Sequence, residues 1–206
     1  MNQAPIFRDI FGQDWEKLPP VIKRHYANRP YTNDRVEVEG TLDVLCKGPI
    51  RWLGTILALM GSIPPYSENN VPVTVMFTSG QRDKKFRFCR EFNFKTRKAY
   101  SFNSYMIQIA KNEVAEISAG GLGWCMSYHW NDGKVILRHK GYVLRIGSFM
   151  IKLPLEMLMG CGYADEIAVD DETFDMCMNL THDRFGKIYE YKGRFKIISE
   201  NLEKAA

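Results

Sequence analysis

The sequence predicts a mainly β protein: about ten antiparallel strands curled into a barrel or half-barrel, with helices at the N-terminus and one apolar helix inserted after the first strand. Three observations carry this. From residue 35 onward, apolar and polar residues alternate with a period of two in one segment after another, as in strands with one buried and one wet face. Short turns join these segments, which pairs neighbours antiparallel. Helical periodicity is confined to the first thirty residues and one later run, so the strands' apolar faces must cover one another.

The elements follow in order. Ile6, Phe7, Ile10 and Phe11 recur at helical spacing until Gly12 breaks the run. Pro19 and Pro20 open a second helix, as proline is tolerated in a first turn, with Val21, Ile22 and Tyr26 on one face. In "RVEVEGTLDV", Val36, Val38, Gly40, Leu42 and Val44 alternate with polar residues. The run "GPIRWLGTILALMGSIPP" predicts a helix over 49–63, opened by proline after glycine and stopped by "IPP". Its stripes Ile50-Leu53-Leu57-Met60 and Trp52-Ile56-Leu59-Ile63 leave little wet surface, as for a helix that plugs a barrel or roofs a cavity. Further strands are read at "VPVTVMFT", "KKFRFCREFNF", "TRKAYSFNSYMIQIAK", "ETFDMCMNL" and "KIYEYKGRFKI", and "KLPLEMLMGCG" reads as a short helical or irregular cover.

The clearest local signal is a hairpin. Asp132-Gly133 suits a two-residue type I′ turn, which places Trp130 opposite Val135, Tyr128 opposite Leu137 and Met126 opposite His139. The same register continues to Trp124 opposite Gly141 and Leu122 opposite Val143, all on one inner face, leaving Ser127 and Cys125 on a wetter one. The whole chain reads as one domain: a helical segment 1–33, a barrel 34–199 and a polar tail 200–206.

Composition excludes several function classes. With 28 basic against 24 acidic residues, well interspersed, no concentrated basic stripe marks a nucleic-acid binder. Fifteen residues of helix span about 22 Å, short of the roughly 30 Å of hydrocarbon a spanning helix must cross. That excludes a transmembrane segment and leaves peripheral contact with a membrane open. Five single cysteines without a C-x-x-C pair argue against a disulfide scaffold or a zinc site and for a reducing compartment. With no signal-peptide pattern at the N-terminus, the expected location is the cytoplasm.

"FRDIFGQDWEKLPPVIKRHY", "GPIRWLGTILALMGSIPP" before "VPVTVMF", "FRFCREF" and "THDRFGKIYEYKGRF" together resemble an uncharacterised bacterial family catalogued as domain of unknown function 4166, over nearly the whole chain. The resemblance brings no established activity. It implies only that such domains occur alone or beside reductase-like NAD(P) domains, so a reductase-like protein is a candidate partner. The dinucleotide fingerprint is absent, since "GGLGWC" follows no βα pattern, and no cofactor is expected. The four histidines are too far apart in sequence to suggest a metal site.

Two residues break an apolar face. Arg90 shares one side of a strand with Phe86, Phe88, Phe92 and Phe94. A buried guanidinium there needs an internal carboxylate or an anionic ligand group, unless a bulge near Cys89 turns it outward. His139 lies among Met126, Leu137 and Gly141, either as a satisfied core residue or as an acid, base or donor toward a ligand. His182 in "THDRFG" reads as a turn-stabilising residue, and "DEIAVDDE" as a solvated turn. Trp124, Tyr128 and Phe88, with Trp52 on the roofing helix, complete the expected lining. The expected function is non-enzymatic binding of a hydrophobic or amphipathic, lipid-like small molecule, its acidic head meeting Arg90. The alternatives are a small enzyme using His139 and Arg90 on a lipid or isoprenoid, and an accessory domain of the reductase-like partner.

Overall fold

The computed structural model describes residues 3–59 and 61–203, with the side chains of Trp52, Thr55, Leu57 and Leu59 outside that description. The chain opens with α1 (Ile6–Phe11), a 3-10 turn (Gly12–Lys17) and α2 (Pro20–His25). The strands β1 (Arg35–Cys46), β2 (Glu68–Gly80), β3 (Asp83–Phe92), β4 (Tyr100–Ala110), β5 (Glu113–Ser118) and β6 (Leu122–Asn131) follow. Helix α3 (Pro49–Leu59) is inserted between β1 and β2. Then come β7 (Lys134–Ile146), β8 (Phe149–Leu153), α4 (Glu156–Met159), β9 (Cys161–Ala168), β10 (Thr173–His182) and β11 (Gly186–Asn201).

Ten strands form a closed antiparallel barrel in the order β6-β5-β4-β3-β2-β1-β11-β10-β9-β7, sealed by β6 pairing with β7. The eleventh, β8, extends β7 outside the ring: β7 pairs with β9 over Lys134–Arg138 and with β8 over Tyr142–Ile146. Strands β8 and β9 therefore lie end to end along one edge of β7, and α4 is the excursion between them. The inward residues of every barrel strand join the N-terminal helices in one core.

The two barrel ends are closed differently. At one end Phe7, Phe11 and Tyr26 push aromatic rings against Phe86 and Tyr128, so the N-terminal helices form a plug. At the other, α3 runs from the start of β11, where Lys47 N–H donates to Ile188 O, toward the β5–β6 turn. There a Cβ on Gly61 would stand 3.1 Å from that of Ala119. Helix α3 also touches α4, and the two form a roof.

The helix is shorter than its sequence suggests. It ends at Leu59 rather than at residue 63, and Arg51 and Ile56 are exposed. Among the described side chains of the helix, Ile50 is buried and Leu53 is half-buried against the core. The apolar stripes predicted a helix buried on several sides, and residues Trp52, Leu57, Leu59 and Met60 of those stripes lie outside the description.

The hairpin register holds as far as Met126 opposite His139 and then slips. A bulge leaves Lys140 unpaired, with Gly141 at φ +134°, so Trp124 faces Tyr142 and Leu122 faces Leu144. An extra residue on one strand reverses the faces beyond it. Tyr142, not Val143, enters the core, and Val143 joins Ala115, Ile117 and Cys125 in a small buried cluster on the outer face. The outer face is accordingly drier than predicted, with Ser127 buried beside His129. Of the five free cysteines only Cys46 and Cys125 are buried, while Cys89 and Cys161 are exposed.

The loop after α2 and the segment after β11 are tied to one buried carboxylate. Asp34 accepts from Arg29 Nε and Nη2 at 2.7 Å each, and from the backbone N–H of Arg29 and Glu203 at 2.9 and 2.8 Å. Residue 203 therefore docks back on the barrel, although the sequence read it as polar tail. Burial alone would raise the Asp34 pKa, but these hydrogen bonds bring it below the ordinary 3.8. A depressed folded-state pKa stabilises fully above the ordinary value and is lost as pH falls through the lower one. Asp34→Asn is therefore expected to flatten the acid limb of a melting-temperature curve measured against pH, below about pH 4.

Candidate functional site

Among the described residues, two small cavities lie in the barrel interior, one toward the roof and one toward the plug. The upper lies beneath the roof, has a volume of about 60 Å3, and is lined chiefly by Ile63, Phe102, Trp124, Met159, Met178 and Leu180. Its polar end is formed by Glu116 with Ser118. The lower, about 30 Å3, lies among Val75, Phe88, Arg90, Phe92, His25 and Glu166, and Tyr191 borders both. Drug-sized ligand pockets run to about 300 Å3 or more, so the closed form holds a few atoms and a larger guest requires the roof to move.

Arg90 points inward, as its alternation with four phenylalanines predicts, and is 6% exposed. Its Nη2 donates to Glu116 Oε1 at 2.7 Å and its Nη1 to Ser104 Oγ at 3.1 Å. The Ser104 hydroxyl in turn donates to the same Glu116 oxygen at 2.6 Å. The guanidinium lies between the rings of Phe88 and Phe102, 4.3 and 4.6 Å from their centres, where aromatic faces favour a cation. Burial opposes the Arg90 charge, but its neighbours, Glu116 foremost, offset this and the pKa is raised. Of the two fates the sequence left open for Arg90, the structure has the internal carboxylate. Glu116, on a strand the sequence reading did not single out, faces the upper cavity and Arg90 the lower.

A second polar group lies toward the plug. Glu166 is 4% exposed and accepts from the Tyr26 hydroxyl at 2.9 Å. His25 Nε2 stands 3.6 Å from the other Glu166 oxygen, and neither ring nitrogen is hydrogen-bonded among the described residues. Burial and the Glu166 charge drive the pKa of Tyr26 and Tyr128 well above the ordinary phenol value, and burial takes Tyr191 to about 12. These phenols are therefore neutral. Tyr128, an expected lining residue, is wholly buried and gives its hydroxyl to Met106 Sδ.

The "DEIAVDDE" segment corrects the sequence reading: its first half is strand β9, and Glu166 points into the barrel rather than into solvent. The inward face of β9 is Gly162, Ala164 and Glu166, without a large apolar residue to reveal the alternation. The reason is steric. A Cβ on Gly162 would stand 2.6 Å from the Trp124 indole, so small residues on β9 make room for the large ring on β6.

His139 serves the roof. The Trp124 indole N–H, which can only donate, lies 2.9 Å from His139 Nδ1. The imidazole proton is then on Nε2, 3.3 Å from Glu156 Oε1 at the start of α4. His182 works alike: Nδ1 accepts from Arg184 N–H, and Nε2 faces Met157 O of α4 at 2.9 Å. Two histidines thus hold α4 to the barrel rim. His139 lines neither interior cavity, so Arg90 and His139 are not brought together in one, while Trp124 and Glu116 are. The side chain of Trp52 lies outside the described residues.

Among the described residues there is no group of three or more metal-ligating side chains, and no helix is long and apolar enough to cross a membrane. Fold and interior together define an antiparallel β-barrel plugged at one end, roofed at the other, and crossed by a buried ion pair. The chain belongs to the family described as Domain of unknown function (DUF4166), whose model matches residues 18–195. No curated protein matches it.

Proposed function

We propose that this protein binds a hydrophobic or amphipathic small molecule, without transforming it, in the roofed end of the barrel. The carrying observation is the apolar cavity beneath Met159 of α4 and Ile63 of the segment after α3, with Glu116 as its polar end. Met159 and Met178 form part of its wall, and methionine repacks around irregular guests at low cost. The roof is held by a few polar contacts at its ends, His139 and His182 to α4 and the Tyr100 hydroxyl to Ser62 O, rather than by strand pairing. Its displacement would join the cavity to the outside.

Because Glu116 rather than Arg90 borders the upper cavity, the favoured head group is a hydrogen-bond donor, such as a hydroxyl or amine. A carboxylate head would meet the Glu116 charge first. The enzyme reading has less support, because both His139 nitrogens are engaged with Trp124 and Glu156. The free thiols fit a reducing compartment, which suits the cytoplasm.

Mass spectrometry of organic extracts of the purified protein is expected to find an apolar guest, and a fluorescent long-chain alcohol to bind better than the matching acid. Ile63→Trp, which fills the space under the roof, is expected to abolish both signals while the circular dichroism spectrum stays unchanged. A guest-free extract together with no uptake of either probe overturns the proposal.

A further inference from the structure

The roofed end carries a concentration of exposed apolar side chains. Met157 on α4 is 86% exposed, Phe149 in the β7–β8 hairpin 75%, Phe185 in the β10–β11 turn 58% and Ile56 on α3 57%. The segments that carry them adjoin. The Phe185 ring centre lies 4.9 Å from that of His182, whose Nε2 bonds Met157 O. Helix α4 touches α3, and β8 leads directly into α4.

The hairpin supplies the most unusual element. Its paired residues Leu144 with Ile151 and Ile146 with Phe149 continue the inner face of the barrel past its rim. Ile146, Phe149 and Ile151 are exposed there, where a partner layer would normally cover them. Met150, on the opposite face, is exposed as well, so β8 has an apolar residue toward solvent on both sides. Among the described residues the other edge of β8 pairs with nothing.

Charge distinguishes the candidate partners. The turn joining β3 to β4 carries exposed Lys95, Arg97 and Lys98, and exposed Lys47, Arg51 and Arg184 stand on neighbouring segments of the same end. Lys152 and Arg145 lie on the outer face of the hairpin. In the segments forming this end, 47–51, 61–68, 93–99, 119–121, 145–160 and 181–187, the carboxylates are Glu68, Glu156 and Asp183. A second copy of the chain would bring like charges together. A flat protein partner would cover one side of the protruding hairpin and leave the other wet.

We infer that the roofed end docks on an anionic lipid bilayer, with the β7–β8 hairpin, Met157 and Phe185 entering the headgroup region and the basic side chains meeting lipid phosphates. Apolar tips ringed by lysine and arginine are the general design of surface-bound proteins. The unpaired β8 edge limits the depth, because free backbone N–H and C=O groups are costly in hydrocarbon but not at the hydrated interface. Docking does not require the barrel to hold a guest, so the two proposals fail separately.

The test is co-sedimentation of the full chain with vesicles of phosphatidylcholine alone, or with equal parts phosphatidylglycerol. Binding is expected only with the anionic vesicles and is expected to weaken with added salt. The triple change Lys95→Glu, Arg97→Glu, Lys98→Glu is expected to weaken it by about a hundredfold, since each basic group near an anionic surface contributes about a fivefold factor. The pair Phe149→Ser and Met157→Ser, at exposed positions, is expected to weaken it by at least about tenfold with an unchanged melting curve. Absence of wild-type binding at low salt overturns the inference, as does binding indifferent to both sets of changes. A concentration-dependent dimer abolished by Phe149→Ser without vesicle binding would assign the face to a second copy. A reductase-like protein bound there in place of vesicles would assign it to that partner.

Discussion

Glu116→Ala is expected to destabilise the fold by about 3–5 kcal/mol, because it leaves the Arg90 guanidinium buried without a counter-charge. The node has few alternatives. Arg90 lies between two phenylalanine rings, and its remaining side-chain partner in the node is the neutral Ser104 hydroxyl. Replacing both charges together, as Arg90→Met with Glu116→Leu, is expected to recover most of the loss, since a buried pair exchanged for apolar residues of similar size is often nearly neutral. Urea unfolding of Arg90→Met, Glu116→Leu and the double variant measures the coupling. If Glu116→Ala unfolds at the wild-type midpoint, Arg90 is not held as described.

Phe7→Ala is expected to cost about 3–5 kcal/mol, the range for removing a buried aromatic ring from a packed site. The Phe7 ring has no exposure and stands 4.2 Å from the Tyr26 ring centre, 4.9 Å from Phe86 and 5.2 Å from Tyr128. Its loss would leave a void between plug and barrel that rigid strands cannot close. The void would border Tyr26, whose hydroxyl holds Glu166, so near-ultraviolet circular dichroism of the interior tyrosines is expected to change as well. Denaturant unfolding with an unchanged midpoint would contradict the role of the N-terminal helices as a packed plug.

The barrel was legible because most of its strands alternate plainly. Tyr189, Tyr191, Phe195 and Ile197 of β11 all face the core as their spacing predicts, and so does Arg90 among its phenylalanines. The unread parts share physical causes. Strand β9 turns glycine, alanine and glutamate inward because the Trp124 ring fills the space above Gly162. The strand period is therefore present in β9 but not in its hydrophobicity. The bulge at Gly141 depends on a single backbone angle, and one residue's displacement suffices to exchange Val143 for Tyr142 on the inner face. Strand β8 alternates weakly, because Met150 on its outer face is as apolar as Phe149, Ile151 and Leu153 on the other.

The candidate site was half legible for a similar reason. A lone inward charge such as Arg90 stands out in one strand, but its partner Glu116 comes from β5, two strands away in the sheet. No spacing along the chain connects the two. The Trp124–His139–Glu156 contact likewise depends on where α4 folds back between β8 and β9, which strand periodicity does not encode.

A movable roof over a rigid barrel is tested most directly by hydrogen exchange, with and without a long-chain alcohol. In the free chain the amides of α3 and α4 are expected to exchange through local openings, well before the barrel strands, which open only with global unfolding. Bound guest is expected to slow exchange in α3 and α4 and leave β1 and β11 unchanged, because a ligand stabilises the form that holds it. Exchange of α3 at the rate of the barrel core, unaltered by any guest, would show a fixed plug with no binding site beneath it.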